Sequence, residues 1–299
     1  AQRRLAAAGR MFAAGLLLLA PQAAAATTAA GGPPPLPRAV HLTVPPGTRP
    51  GRFPVLVWEV ALASWLRWFP ADEGFQHVLW SDANLSACMR ENFPAHAAAF
   101  AALPGGIERS DIGRYCVLHA QGGIYADLDY EARASFYGEL PRGLASVVEC
   151  RSKDLGIEVE NSLMASPPGH QLWARAIRRT FGSDGAHRWD DARGGTGPRM
   201  LSALLAEEGG DVAEGYPGLG GVHVLPCKDF QRGVEADSGA AACGAAADGS
   251  AGAAAQRGIH WSTTSHTSFV GAALRAEAFY RVHPEFAGAP LFREALAHR

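Results

Sequence analysis

Along residues 38–226 the spacing of apolar and polar positions switches repeatedly between two periods, and each switch marks an element. RAVHLTV (38–44), QHVLWS (76–81), residues 124–130, ASVVEC (145–150), NSLMAS (161–166) and GVHVLP (221–226) are short, largely apolar runs of strand length. Between them, PVLVWEVALASWLRWF (54–69) and the segments 84–92, 94–102, 111–121, 169–181 and 197–208 carry the longer helical spacing, with Pro54 suited to a first helical turn. Strands alternating with helices predict an α/β fold with a largely parallel sheet, whose ligands bind beyond the carboxyl ends of the strands.

Outside this body the pattern changes. Residues 11–30 are almost wholly apolar and follow Arg3, Arg4 and Arg10, as in a secretory signal peptide or a short signal anchor. An organelle transit peptide is the alternative. GGPPPLP (31–37) reads as a stiff linker, and 38–299 as one folded domain. Within it, 236–257 is rich in Ala and Gly and predicts a flexible insertion.

Charge excludes one class of partner. With 27 basic and 29 acidic side chains the net charge is -2, which gives no electrostatic footprint for nucleic acid. Five cysteines at wide spacing contain no Cys-x-x-Cys and match no zinc pattern. Cys227 and Cys243 flank a loop-like segment and are either disulfide-bonded or free, whereas Cys116 reads as core. Asn84-Leu85-Ser86 is a glycosylation sequon, which agrees with a secretory route.

The candidate chemistry lies in SDIGRYCVLHAQGGIYADLDYE (110–131), where an apolar stretch places Asp111, Arg114, Asp127 and Asp129 around a Gly-Gly break. Ser110 as cap and Gly122 as stop predict a helix over 111–121, with Asp111 and Arg114 on one face. Gly122 and Gly123 then lead into a strand that becomes polar at its end. Alternation along that strand would send Asp127 and Asp129 to the same side, where two carboxylates repel unless a cation joins them. Oxygen ligands suit Mn²⁺ or Mg²⁺, and such an ion would offset charge on a departing diphosphate.

The string SDxxRYxxLxxxGGIYxDxD resembles the DXD-containing sugar transferases, the family of the initiation-specific α-1,6-mannosyltransferases and the inositol phosphorylceramide mannosyltransferases. Four further segments extend the likeness: LPRAVHLTV, HVLWSD, ENSLMASPPGHQLW and GGTGPRML. The resemblance implies a nucleotide-diphospho-sugar transferase (GT-A type) fold, with a mixed, mostly parallel sheet flanked by helices. It implies a retaining, metal-dependent hexosyltransferase of the Golgi lumen or membrane, anchored there if the N-terminal segment is retained. GDP-mannose is the favoured donor and a UDP-hexose the alternative, with a glycan, glycolipid or protein acceptor. Other readings are a galactosyl- or glucosyltransferase of the same fold and a catalytically silent sugar-nucleotide or glycan-binding protein. No Gly-x-Ser-x-Gly and no phosphate loop ending Gly-Lys-Ser/Thr is present, against serine-hydrolase and P-loop chemistry.

The resemblance also implies roles. Asp111 and Arg114 would contact the donor's sugar and phosphates, Tyr115 would lie near the nucleotide, and Asp127 would touch the ribose or sugar. Asp129, with Asp127, would hold the metal, and Asn161 would face the transferred sugar. In HWSTTSHTSF (260–269) either His260 or His266 would complete the metal site, although Phe269 stands where the family has Trp. His41 is followed by Leu42 where the family often has Gln.

Overall fold

The structure, a computed structural model, describes residues 33, 35–48, 53–152, 156–182, 195–209, 215–230, 256–261, 279–287 and 289. Residues 1–30, positions 31, 32 and 34 of the expected linker, 236–255 of the expected insertion, Cys243 and His266 lie outside the described residues.

Its strands are β1 (Ala39–Thr43), β2 (Gln76–Trp80), β3 (Gly123–Ala126), β4 (Tyr130–Ala132), β5 (Ala145–Ser152), β6 (Gly156–Ser166), β7 (Val222–Leu225) and β8 (Gly258–His260). Its α-helices are α1 (Leu56–Trp68), α2 (Asp82–Asn92), α3 (Ala97–Ala101), α4 (Gly106–Gln121), α5 (Gln171–Phe181), α6 (Pro198–Glu207) and α7 (Cys227–Phe230). Six strands form one mixed sheet in the order β2-β1-β3-β6-β5-β7. The pairs β1–β2, β1–β3 and β5–β7 are parallel, and β3–β6 and β5–β6 are antiparallel. Strands β4 and β8 form a separate antiparallel pair.

Apolar side chains alternate across the sheet and feed two cores. Val40, Leu42, Ile124 and Ala126 join Leu62 and Trp65 of α1 on one face. Tyr125 and Val147 join Ile112, Tyr115 and Leu118 of α4, with residues of α2, α5 and α6, on the other. Gly122 and Gly123 let α4 run into β3 without a loop. Both have positive φ, 65° and 89°, and a Cβ would meet backbone at 2.6 Å, the Pro168 nitrogen at one and the Ala39 oxygen at the other.

Two local expectations are corrected. Helix α4 begins at Gly106 behind an extended Gly105, so Ser110 lies inside the helix and caps nothing. The strand expected over 124–130 ends at Ala126. The Asp127 N–H adds one more bond to the Ser162 carbonyl (2.8 Å), and then the Tyr130 N–H closes a turn onto the Asp127 carbonyl (2.9 Å). Asp127 and Asp129 therefore converge through a turn between two strands, not through strand alternation. The cysteine reading changes as well, because buried Cys116 is disulfide-bonded to Cys88 of α2. Cys227 is also disulfide-bonded.

Candidate functional site

The turn at 127–129 stands at the carboxyl end of β3, where an α/β sheet presents its ligands. Strand β8 lies beside it, with Tyr130 opposite His260, and brings that imidazole to the acidic pair. One ligand atom from each of Asp127, Asp129 and His260 lies within 4.8 Å of the others. His260 Nε2 is 3.4 Å from Asp129 Oδ1. Burial opposes the imidazolium, but the Asp129 carboxylate, with Asp127 and Glu160, raises its pKa to about 9. Burial likewise pushes the Asp127 carboxyl up, against the attraction of Arg114. Two carboxylates from one turn and one imidazole from β8 form a donor set that fits a divalent cation such as Mn²⁺, and a cation there would favour the ionised form of Asp127.

Behind this edge Arg114 organises a buried polar layer. Its guanidinium contacts Asp111 Oδ1 at 3.1 Å and Asp127 Oδ1 at 3.0 Å. It also donates to the Asn161 carbonyl (2.7 Å), to the Ser110 carbonyl (3.2 Å) and to Ser110 Oγ (3.2 Å). The plane lies over the Tyr125 ring at 4.8 Å. Tyr125 donates its hydroxyl to Asp127 Oδ1 (2.8 Å) and is 2.9 Å from Thr43 Oγ1, which is itself 3.0 Å from Ser110 Oγ. Arg114, Ser110, Thr43, Tyr125 and Asp127 thus close a ring of polar contacts.

Asp111 is held from three sides. Arg114 and Asn161 Nδ2 (2.9 Å) take Oδ1, and Thr196 donates to Oδ2 (2.8 Å). Burial still raises its pKa, with Arg114 the largest opposing influence. Asn161 reaches Asp111 because β6 is irregular there: Val147 pairs with Met164 and Val148 with Glu160, so 161–163 have no partner on β5. Tyr115 is fully buried, stacked on Trp173 at 5.8 Å, and donates its hydroxyl to the Thr196 carbonyl (2.9 Å).

The structure thus gathers Asp111, Arg114, Asp127, Asp129, Asn161 and His260 and places Tyr115 among their supports. Thr43, Ser110, Tyr125 and Thr196 were missed as members. All four stood in segments that carry the resemblance, Ser110 and Tyr125 in the DXD string, Thr43 in LPRAVHLTV and Thr196 in GGTGPRML, but none was given a role at the site. His41 is a structural residue, wholly buried between Trp80 and the Gly122 carbonyl.

Residues 58–144 match the family model described as glycosyltransferase sugar-binding region containing DXD motif. The chain is 28% identical over 142 residues to inositol phosphoceramide mannosyltransferase 1 of Schizosaccharomyces pombe, covering 48% of this chain and 42% of that protein. It is 27% identical over 134 residues to mannosyl phosphorylinositol ceramide synthase CSH1 of Saccharomyces cerevisiae, covering 44% and 34%. The matches therefore span less than half the length of these relatives. Among solved structures, the PaToxG glycosyltransferase aligns with a TM-score of 0.42 at 16% identity, covering 59% of this chain and 71% of that one.

Proposed function

We propose that the chain, whose residues 58–144 match the glycosyltransferase sugar-binding region containing a DXD motif, is a metal-dependent, retaining hexosyltransferase. It moves a hexose, mannose favoured, from a nucleotide-diphospho-sugar to a glycan or glycolipid. One observation carries this reading: the DXD pair of the matched region converges with His260, from outside it, on a single point.

Asp127, Asp129 and His260 hold the divalent cation, Mn²⁺ favoured. When bound, that ion supplies counter-charge to the donor diphosphate. Arg114 fixes Asp127 and adds positive charge behind the diphosphate, in a low-dielectric layer where its field is weakly screened. Asp111 and Asn161, already joined to each other, orient hydroxyls of the transferred sugar. The acceptor hydroxyl then attacks the anomeric carbon on the face from which the diphosphate leaves, the new C–O bond replacing the one to the diphosphate and the hydroxyl proton passing to a departing phosphate oxygen.

The names of the relatives favour mannose as the sugar and an inositol phosphoceramide-type glycolipid over a protein acceptor, with GDP-mannose the donor to test first and a UDP-hexose the alternative. The Cys88–Cys116 disulfide supports an oxidising compartment of the secretory pathway, the Golgi among them. Among the described residues no helix is long and apolar enough to cross a membrane, and the segment proposed to anchor the chain is 1–30.

Nucleotide release from a panel of GDP- and UDP-sugars, with and without Mn²⁺, tests the reading. Release from one donor that disappears without metal and in Asp129→Ala is expected. A folded protein that releases nothing and binds no nucleotide with Mn²⁺ present would sink it.

A further inference from the structure

Glu131 stands two residues beyond Asp129, outside the cation cluster, and is 3% exposed. A buried carboxylate is tolerable only with donors around it, and Glu131 has three. Its Oε2 accepts from Trp261 Nε1 (3.0 Å) and His283 Nε2 (2.9 Å), and its Oε1 accepts from Arg133 (2.7 Å). None of these groups has a part in the transfer chemistry.

Their placement gives them another task. Trp261 follows His260 directly and donates twice, its backbone N–H to the Asp129 carbonyl (3.0 Å) and its indole to Glu131. The Tyr130 carbonyl between them accepts the Trp65 indole (2.7 Å). Residues 129, 130 and 131 are therefore fastened one after another, and Trp261, whose indole holds Glu131, also holds Asp129 through its backbone N–H, next to His260. His283 arrives from the segment 279–286, where Phe279 lies against Trp261 at 5.2 Å and against the His283 ring at 4.9 Å.

We infer that Glu131 is a positioning residue for the cation site, acting through Trp261 on Asp129 and His260, and that His283 ties segment 279–286 into the same site. This rests on the cation reading above. Freed from Glu131, the buried indole N–H has no acceptor, and the backbone bond to Asp129 shifts with it. Gln at 131 cannot substitute: an amide turned to accept from Trp261 and His283 sets its own NH₂ against Arg133, and the reverse turn sets NH₂ against the two rings.

Calorimetry of the full chain with MnCl₂ alone, beside thermal melting in chelator, tests the inference. Glu131→Gln is expected to weaken Mn²⁺ affinity about ten- to a hundredfold, the usual effect of removing a group that orients metal ligands. His283→Phe, which keeps a ring but loses the donor, is expected to weaken it by a smaller factor. Leu205→Ala, a cavity in the opposite core, lowers melting but leaves affinity unchanged. Wild-type affinity in both Glu131→Gln and His283→Phe would overturn the inference, whatever their melting temperatures. If Glu131→Gln does not fold, His283→Phe decides. If the wild type and Asp129→Ala alike bind no Mn²⁺, the cation reading itself fails and takes the inference with it.

Discussion

Trp80 donates its indole N–H to Nδ1 of His41 across 3.1 Å. An indole nitrogen only donates, so Nδ1 carries no proton, and Nε2–H donates to the Gly122 carbonyl at 3.0 Å. The neutral ring is thus fixed between β2 and the turn that leads α4 into β3. A proton added at Nδ1 would face another N–H.

Acid sensitivity follows from that contact. Burial lowers the His41 pKa from 6.5 to about 4, with the Gly122 bond opposing, and burial does the same to His77. Because the folded value lies below the unfolded one, the unfolded chain takes up the proton first as pH falls. Stability is therefore full above pH 6.5 and is lost progressively down to about 4. The ceiling is about 3 kcal/mol per ring. Asp111 and Asp127, whose pKa values are raised, act with the opposite sign, so a comparison of variants is cleaner than one curve. His41→Gln keeps an acceptor and a donor but does not titrate. Its urea midpoint is expected to fall less than that of the wild type between neutral and mildly acidic pH, and equal falls would refute the assignment.

Arg114 cannot be exchanged for lysine. Its planar guanidinium meets Asp111, Asp127, Ser110 and Asn161 at once, from five contacts of 3.2 Å or less. A lysine ammonium is a single point on a thinner stem and leaves part of this set unpaired in a buried layer. Arg114→Lys is expected to cost on the order of 3 kcal/mol, read as a lower denaturant midpoint at unchanged slope. Nucleotide release should also be lost, since Asp127 loses its guanidinium partner and keeps only the Tyr125 hydroxyl. Wild-type stability together with wild-type release would show that Arg114 is only a helix-face ion pair.

The charged members of this layer were legible because charge is costly inside an apolar stretch, so Asp111, Arg114, Asp127 and Asp129 demanded an explanation from the sequence alone. Their geometry was less so. The turn at 127–129 depends on β8, a three-residue strand that follows the Ala- and Gly-rich segment and carries no period of its own. Thr196 reaches Asp111 across 85 positions, and its place in GGTGPRML carries no sign of that contact. The Cys88–Cys116 bond joins two helices whose cysteines each sit among apolar residues, as core cysteines also do.

That disulfide gives a third prediction. It ties α2 to the middle of α4, one residue after Tyr115 and two after Arg114, with 28 positions between the sulfurs. Closing a loop of that length in the unfolded chain contributes about 3 to 4 kcal/mol on the chain-entropy account. The double variant Cys88→Ala/Cys116→Ala is expected to melt well below the wild type and to respond less to a reductant added during the scan. Melting that coincides with the wild type would mean that the bond constrains nothing the unfolded chain explores.

Thr196 offers the sharpest test of the layer behind the acidic edge. Its Oγ1–H donates to Asp111 Oδ2 at 2.8 Å, while its carbonyl accepts from Tyr115, so only the side-chain contact is removed by the isosteric change Thr196→Val. Loss of one donor to a buried carboxylate costs about 1 to 3 kcal/mol. The pH dependence identifies the cause. Burial already raises the Asp111 pKa and the Thr196 bond opposes that rise, so the variant's carboxyl takes up its proton at higher pH than the wild type's. The stability deficit of Thr196→Val should therefore be full where Asp111 is ionised in both proteins. It should shrink as pH falls and Asp111 becomes neutral, because a neutral acid has less need of the donor. Urea midpoints of the two proteins across that range decide the matter: a deficit that narrows on acidification places the effect at Asp111, and one that stays constant places it in packing alone.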